Sequence, residues 1–340
     1  MSNLSPPPSA TVGGGATTLS DLHKDVLSTH ILNRLDGPTL ASVSCVSSQL
    51  RSISSQHHLW TTICHLTWPS TATSPLLRHL IESFPGGPRA FYSLSFPLLH
   101  PTSTTTVAAV PPPQELVFAV DIHYKNNLIF SKVHETETVS DWFRCSPFRV
   151  DLLDPKESVP TAIRHPNCDV ACDAVAADMT LSWVSIDPVG GRAVNLSSFQ
   201  PVAVKRHWLS GEVQVGFAAI LPRDQKRATG EHVQCGIVVT CGGSEKGEMQ
   251  VREVSLQMED MDGMYLTGKE SLVILQRALI EGKRVGNKRR VEEGKKRYKD
   301  YLEMKRERRE RQLRNEGRMD KLCIAIGLAI FAAWVKFLFL

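Results

Sequence analysis

The chain lacks the features that would make a function easy to read. Eight cysteines (Cys45, Cys64, Cys145, Cys168, Cys172, Cys235, Cys241 and Cys323) are scattered among 340 residues without a repeated spacing. That excludes a disulfide scaffold and favours reduced thiols in the cytosol. Gly13-Gly14-Gly15 follows no strand-like run, so it is no phosphate loop. The first 18 residues, MSNLSPPPSATVGGGATT, have neither a basic start nor an apolar core. They do not form a secretory signal, and residues 1–17 are expected to be a disordered leader. His165, Cys168 and Cys172 form H-x-x-C-x-x-x-C without a second Cys/His pair at zinc spacing. Half-buried thiols are the better reading there, and neither metal nor cofactor is expected. Asp121, His123, Asp141 and Arg144 lie in one region but come with no nucleophile and base at a known spacing. No catalytic residue is assigned, and a non-enzymatic subunit is expected. The sequon Asn195-Leu196-Ser197 goes unused in a cytosolic chain.

What is present is unevenly distributed. Hydrophobic residues make up 42% and charged residues 22%, which fits folded domains with polar margins. The formal charge is +4, yet Lys283 to Lys321 holds 17 Lys/Arg against 8 Asp/Glu, a net +9. Allowing for Lys336, the rest of the chain stands at −6, so basicity belongs to one segment.

Leu22, Val26, Leu27, Ile31 and Leu35 recur as one apolar stripe of a helix, with Ser20 as its cap and Asp21 and Asp25 in its first turns. Asp36-Gly37 breaks it, and Pro38 opens a second helix carrying Leu40 and Val43. Val46, Leu50 and Ile53 form a third set before Leu59-Trp60. Three helices this short enclose little core, so part of their apolar surface requires an outside cover.

At these residues the chain resembles the F-box family in its plant type. The matching positions are Leu22-His23, Asp25-Val26-Leu27, Ile31-Leu32, Leu35, Leu40, Val43 to Val46, Leu50-Arg51 and Leu59-Trp60; His23 stands where the family usually has Pro. The resemblance implies docking onto a Skp-family adaptor and, through it, a cullin-RING (SCF-type) ubiquitin ligase. The adaptor-binding residues it implies are Leu22, Val26, Leu27, Ile31, Leu35, Leu40, Val46, Leu50 and Trp60. The plainer alternative is a helical subdomain that caps the next domain.

Helical character continues to about residue 99, closing an F-box region of 18–99, and the Pro- and Thr-rich stretch 100–113 reads as a linker. From Glu115 the period changes to two. The runs are Glu115 to Ile122, Leu128 to Phe130, Phe148 to Leu152, Leu181 to Ile186, Val202 to Val204, Val213 to Leu221, Val233 to Val239 and Met249 to Met258; the last carries one slip that suggests a bulge. No long helical pattern separates them, so an antiparallel β-sandwich over 114–270 is expected and the whole chain is α+β. The sandwich is similar to the phloem-lectin-type domain of some plant F-box proteins, which implies carbohydrate or protein recognition by loops at one end, the target being a protein or glycoprotein; a β-domain that binds only a protein partner is the equal alternative. The three tryptophans Trp142, Trp183 and Trp208 suit core or rim positions better than a sugar platform; with Arg144 they are still the candidates for that recognition, because aromatic residues and Arg dominate interface energetics.

Leu272, Leu275 and Leu279 open a further helical pattern, and 271–321 reads as a basic helical segment. Acid-before-base pairs such as Glu293–Arg297 and Glu307–Arg311 suit a solvated helix. Charge without a folded nucleic-acid-binding pattern is weak evidence for a nucleic-acid role, and none is expected. LCIAIGLAIFAAWVKFLFL, 322–340, spans about 28 Å as a helix and carries one charge, Lys336. It reads as a transmembrane tail anchor. Its basic flank holds the N-terminal part in the cytosol and attracts anionic lipid, at an endomembrane such as the endoplasmic reticulum or the nuclear envelope. The competing reading is a buried helix docked on the sandwich. The functional expectation is a membrane-tethered receptor subunit of a ubiquitin ligase, with a membrane-anchored lectin-like or protein-binding scaffold as the alternative.

Overall fold

The computed structural model describes residues 22–100, 111–223, 232–281, 283–285 and 290–338. The expected leader, Ser20 and Asp21, and most of the expected linker lie outside these residues. The chain divides into two compact units, Met1–Ile63 and Cys64–Leu340. The helices that follow Ile63 therefore belong with the sheets, whereas their sequence pattern grouped them with the helices before them.

The first stripe does not wind as one α-helix. It is α1 (Lys24–Val26), a π-helical turn Leu27–Ile31 and a 3-10 turn Leu32–Arg34. The Leu32 N–H is shared between the carbonyls of Leu27 and Ser28, which marks the change of pitch. α2 (Gly37–Val43) is capped by Asp36, whose carboxylate accepts from Thr39 N–H at 2.9 Å, with Pro38 in its first turn as expected. α3 (Ser48–Ser54) is capped by Ser47, and α4 spans His57–Thr67.

The second unit continues with α5 (Ser70–Thr73), α6 (Pro75–Glu82) and α7 (Gly87–Ser95), then β1 (Leu98–His100), β2 (Glu115–Tyr124) and β3 (Asn127–Glu137). Next come α8 (Asp141–Cys145), β4 (Arg149–Asp151), β5 (Val159–Arg164), α9 (Asp169–Ala177), β6 (Met179–Asp187), β7 (Arg192–Asn195) and β8 (Ala203–Arg206). The chain closes with β9 (Val213–Pro222), β10 (His232–Gly243), β11 (Glu248–Glu259), α10 (Gly268–Glu281), β12 (Lys283–Val285) and α11 (Arg290–Leu338).

Two sheets form. One has the order β12-β1-β7-β6-β2-β3; the other has β4-β11-β10-β9-β8, with β5 also paired to β11. Pairing is antiparallel apart from a parallel contact of β1 with β7 at Leu98 and Asn195. Side chains from both sheets share one apolar core, in which Leu116, Phe118, Val120 and Ile122 of β2 meet Val215, Phe217, Ile237 and Val239. The alternate residues Val117, Ala119 and Asp121 are just as buried on the other face. That two-sided burial is why β2 reads as a continuous apolar run.

The slip near Met249 is a bulge: Thr240 pairs with Glu253 and Cys241 with Val251, leaving Arg252 over. β2 and β3 join through Lys125 and Asn126, both at positive φ (48° and 63°), as a two-residue hairpin requires. α10 buries Leu272, Leu275 and Leu279 in the shared core. α9, a nine-residue helix absent from the pattern of alternating runs, seats Cys172 and Ala176 one turn apart in that core.

Candidate functional site

The site begins with the buried support inside the first unit. The Ser28 hydroxyl donates to Gln56 Oε1 at 2.8 Å and lies 3.2 Å from His58 Nε2, tying the π-helical turn to the start of α4. Trp60 Nε1 donates to the Ser54 carbonyl at 2.7 Å, and Arg51 Nε to the Ser44 carbonyl at 3.2 Å. These bonds hold α4 on the end of α3 and α3 on the end of α2.

The nine residues expected to contact an adaptor separate by burial. Leu27, Leu40 and Trp60 are buried. They are scaffold, correcting their assignment as contacts, because a side chain already enclosed has no surface left for a partner. Leu35 and Leu50 are half-buried. Leu22, Val26 and Ile31 stand 36–41% exposed, and Val46 73%. Exposed aliphatic groups over a buried support form a surface suited to apolar docking. At His23, Nδ1 accepts from the Asp25 N–H at 3.4 Å, a long bond that substitutes for the usual proline start.

In the second unit the four recognition candidates do not assemble. Trp183 is fully buried, its ring 6.2 Å from that of Phe118. It is a core residue, correcting its assignment to a recognition surface. Trp142 and Trp208 are more than four-fifths exposed, and Arg144 is exposed. Strand order separates them, since α8 precedes edge strand β4 and Trp208 sits in the turn after the opposite edge strand, β8. The sequence reading missed Leu209, 73% exposed beside Trp208. Its signal was an apolar residue next to a turn marked by Ser210-Gly211.

The remaining polar candidates are structural. Asp121 is buried and accepts from Ser70 N–H, the Ser70 hydroxyl and the Ser131 hydroxyl. Burial raises its pKa, and the hydrogen bonds oppose that rise. Cys172 lies in the core and Cys168 is exposed; among the described residues no three His, Cys, Asp or Glu side chains gather as a metal site. Cys235 and Cys241 face the same core, where burial pushes both thiols up to about 12.

α11 is anchored at its base. Tyr301 is buried against Ile220 and Met261 and donates to the Asp260 carbonyl at 3.2 Å. Lys305 pairs with Glu259, Arg308 with Asp262 at 2.7 Å, and Gln312 donates to Asp262 at 3.0 Å. The helix thus leaves the sheet at the end where β11 finishes. Beyond it, residues 322–338 are exposed apart from half-buried Val335. This stretch packs on no sheet, and its helix is long and apolar enough to cross a membrane.

An F-box-like family model matches residues 25–66, the segment that carries Val26 and Ile31. The chain is 44% identical to "Probable F-box protein At2g36090" of Arabidopsis thaliana, covering 95% of each chain. It is 39% identical to "F-box protein At2g27310" of the same plant, covering 95% of this chain and 97% of the relative. Its identity to the Arabidopsis "F-box protein At3g44326" is 43%, over 86% of this chain and 82% of that one. No solved structure matches.

Proposed function

This chain belongs to the F-box proteins, and we propose that it is the target-receiving subunit of an SCF-type ubiquitin ligase held at a membrane. Proteins of this family are generally non-catalytic substrate adaptors, and the F-box is their Skp1-binding module, with the cullin reached through it. The observation that carries the reading is the exposed set Leu22, Val26, Ile31 and Val46 over buried Leu27, Leu40 and Trp60. Burying such a side chain fully stabilises a complex by about 1.5–3 kcal/mol. Since these are part-covered already, each contributes less. The chain's share of the reaction is proximity: it raises the local concentration of a target near the ubiquitin donor, while the recruited ligase performs the transfer.

The membrane part of the proposal rests on α11. From Gln312, which bonds Asp262 in the loop after β11, to Leu322 is ten residues, about 15 Å of helix. The Lys/Arg-rich stretch before Leu322 would lie against anionic headgroups on the cytosolic side, and Lys336 would reach the far interface beside Trp334. The bilayer is an endomembrane in this reading, the endoplasmic reticulum or the nuclear envelope. The β11 end bearing Asp262 would then face the bilayer. The Trp208 turn lies at the other end of the sheet, because Arg206 pairs with Val213, Val213 with Cys241 and Cys241 with Val251. Trp208 and Leu209 therefore suit capture of a protein target, glycoproteins included, away from the lipid.

Two experiments test this. Co-purification with a Skp-family adaptor should succeed for the intact chain and weaken about 5- to 30-fold in a Val26→Ala, Ile31→Ala double variant, as a loss of 1–2 kcal/mol implies. Absence of adaptor from the intact chain would leave a membrane-anchored scaffold instead. Removal of residues 322–340 should move the protein to the soluble fraction; persistence on membranes in high salt would reject the span.

A further inference from the structure

A cleft of about 210 Å³ lies between the helical layer and the first sheet, within the second unit. Its walls include the rings of Trp68, Phe96 and Phe199. Its polar lining is Thr67 at the end of α4, His123 of β2, Asn126 of the β2–β3 turn, Thr180 and Ser182 of β6 and Asn195 of β7, and no Asp, Glu, Lys or Arg lines it.

Two of the lining polar groups keep an unused donor. Asn195 is 1% exposed, and its Oδ1 accepts from the N–H groups of Trp183 and Ser197 at 3.3 and 3.0 Å. That leaves the amide nitrogen for the cleft, and among the described residues nothing accepts from it. Ser182, 8% exposed, lies on the same face of the sheet as its cross-strand partner Asp121, and its hydroxyl has no partner among the described residues. His123 and Thr180 pair across β2 and β6 at the rim, and burial lowers the pKa of the imidazole. Phe199 holds a left-handed backbone, φ 67°, fixed by its N–H on the Ser197 hydroxyl and by its carbonyl accepting from Leu181 N–H, both at 2.9 Å. A bulky residue in that conformation signals a constraint imposed by its surroundings.

We infer that this cleft binds a small uncharged ring compound, its apolar face against Trp68, Phe96 and Phe199 and an acceptor oxygen at its edge taking a hydrogen bond from the Asn195 amide. The volume is below the roughly 300 Å³ at which drug-sized sites begin, so one ring fits and two do not. A charged ligand is disfavoured, because no opposite charge on the lining would offset its lost hydration. An aromatic carboxamide and a pyranose share this chemistry. The inference does not depend on adaptor or membrane binding.

The test is saturation-transfer NMR on the full chain in detergent micelles with three probes: benzamide, methyl β-glucoside and benzoate. At least one neutral probe should give a saturable signal, identifying its source, and benzoate should give none. Asn195→Asp keeps the oxygen that holds Trp183 and Ser197 but removes the donor, and Thr180→Phe fills the rim; each should weaken the signal at least tenfold. Thr180 is only part-buried, so its variant serves if Asn195→Asp does not fold. Silence of both neutral probes, an equal response to benzoate, or an undiminished signal in a folded variant would each overturn the inference.

Discussion

The Asp121 carboxylate takes both donors of Ser70, the backbone N–H at 2.9 Å and the hydroxyl at 2.6 Å. This pair fastens the start of α5 to the middle of β2, and Ser131 on β3 adds a third bond at 2.8 Å. Asp121→Ala should destabilise the protein by about 2–4 kcal/mol, since three donors lose their acceptor in a buried place. Asp121→Asn should cost less. Because burial raises the folded pKa above the ordinary 3.8, the folded state holds this proton more tightly than the unfolded state. The group's favourable contribution is therefore complete below 3.8 and is lost as pH rises through the folded value. Urea unfolding across acidic pH should show that slope in the native protein and lack it in Asp121→Asn.

The first unit separates support from contact. Leu40→Ala should lower stability by about 2–5 kcal/mol, because Leu40 is completely enclosed. Val46→Ala, at a site 73% exposed, should leave unfolding within about 0.5 kcal/mol of the native value. Thermal or urea unfolding of the two variants decides this independently of any binding assay.

A parallel contrast holds between two tryptophans. Trp183→Ala should cost about 3–5 kcal/mol, since its cavity opens between the sheets. Trp208→Ala should unfold almost as the native chain does while reducing capture of the target in proximity labelling. Equal labelling by the native chain and Trp208→Ala would remove the distal turn from the recognition surface.

Thiol accessibility checks the whole arrangement. Burial pushes Cys64, Cys235 and Cys241 up to about 12 and raises Cys172 as well. At pH 8 an alkylating reagent should modify Cys45, Cys145 and Cys168, which are exposed, and spare those four until denaturant is added. Mass spectrometry of the labelled peptides reads the outcome directly.

Legibility followed the reach of the interactions involved. Alternating runs such as Val213 to Leu221 announced their strands because one face of β9 turns to the core at every second residue. Short elements were missed. β1 and β12 are three residues each and exist through pairing between Leu98 and Val285, 187 positions apart in the chain. The basic stretch was legible as charge, but its docking was not, since Tyr301 depends on Ile220 and Met261 for its cover.

The sequence by itself determined the F-box segment, the α+β class and the largely apolar stretch from Leu322. Each is written in residue type and local period, which local backbone geometry translates without outside help. Only the tertiary structure decided which apolar residues remain available. Leu27 and Val26 are neighbours on one stripe, yet one is enclosed and the other exposed. Trp183 and Trp208 are chemically alike, yet one fills the core and the other tips a turn. The physical reason is that burial depends on what the rest of the chain brings to a side chain's far side, and that is set by packing between segments distant in sequence.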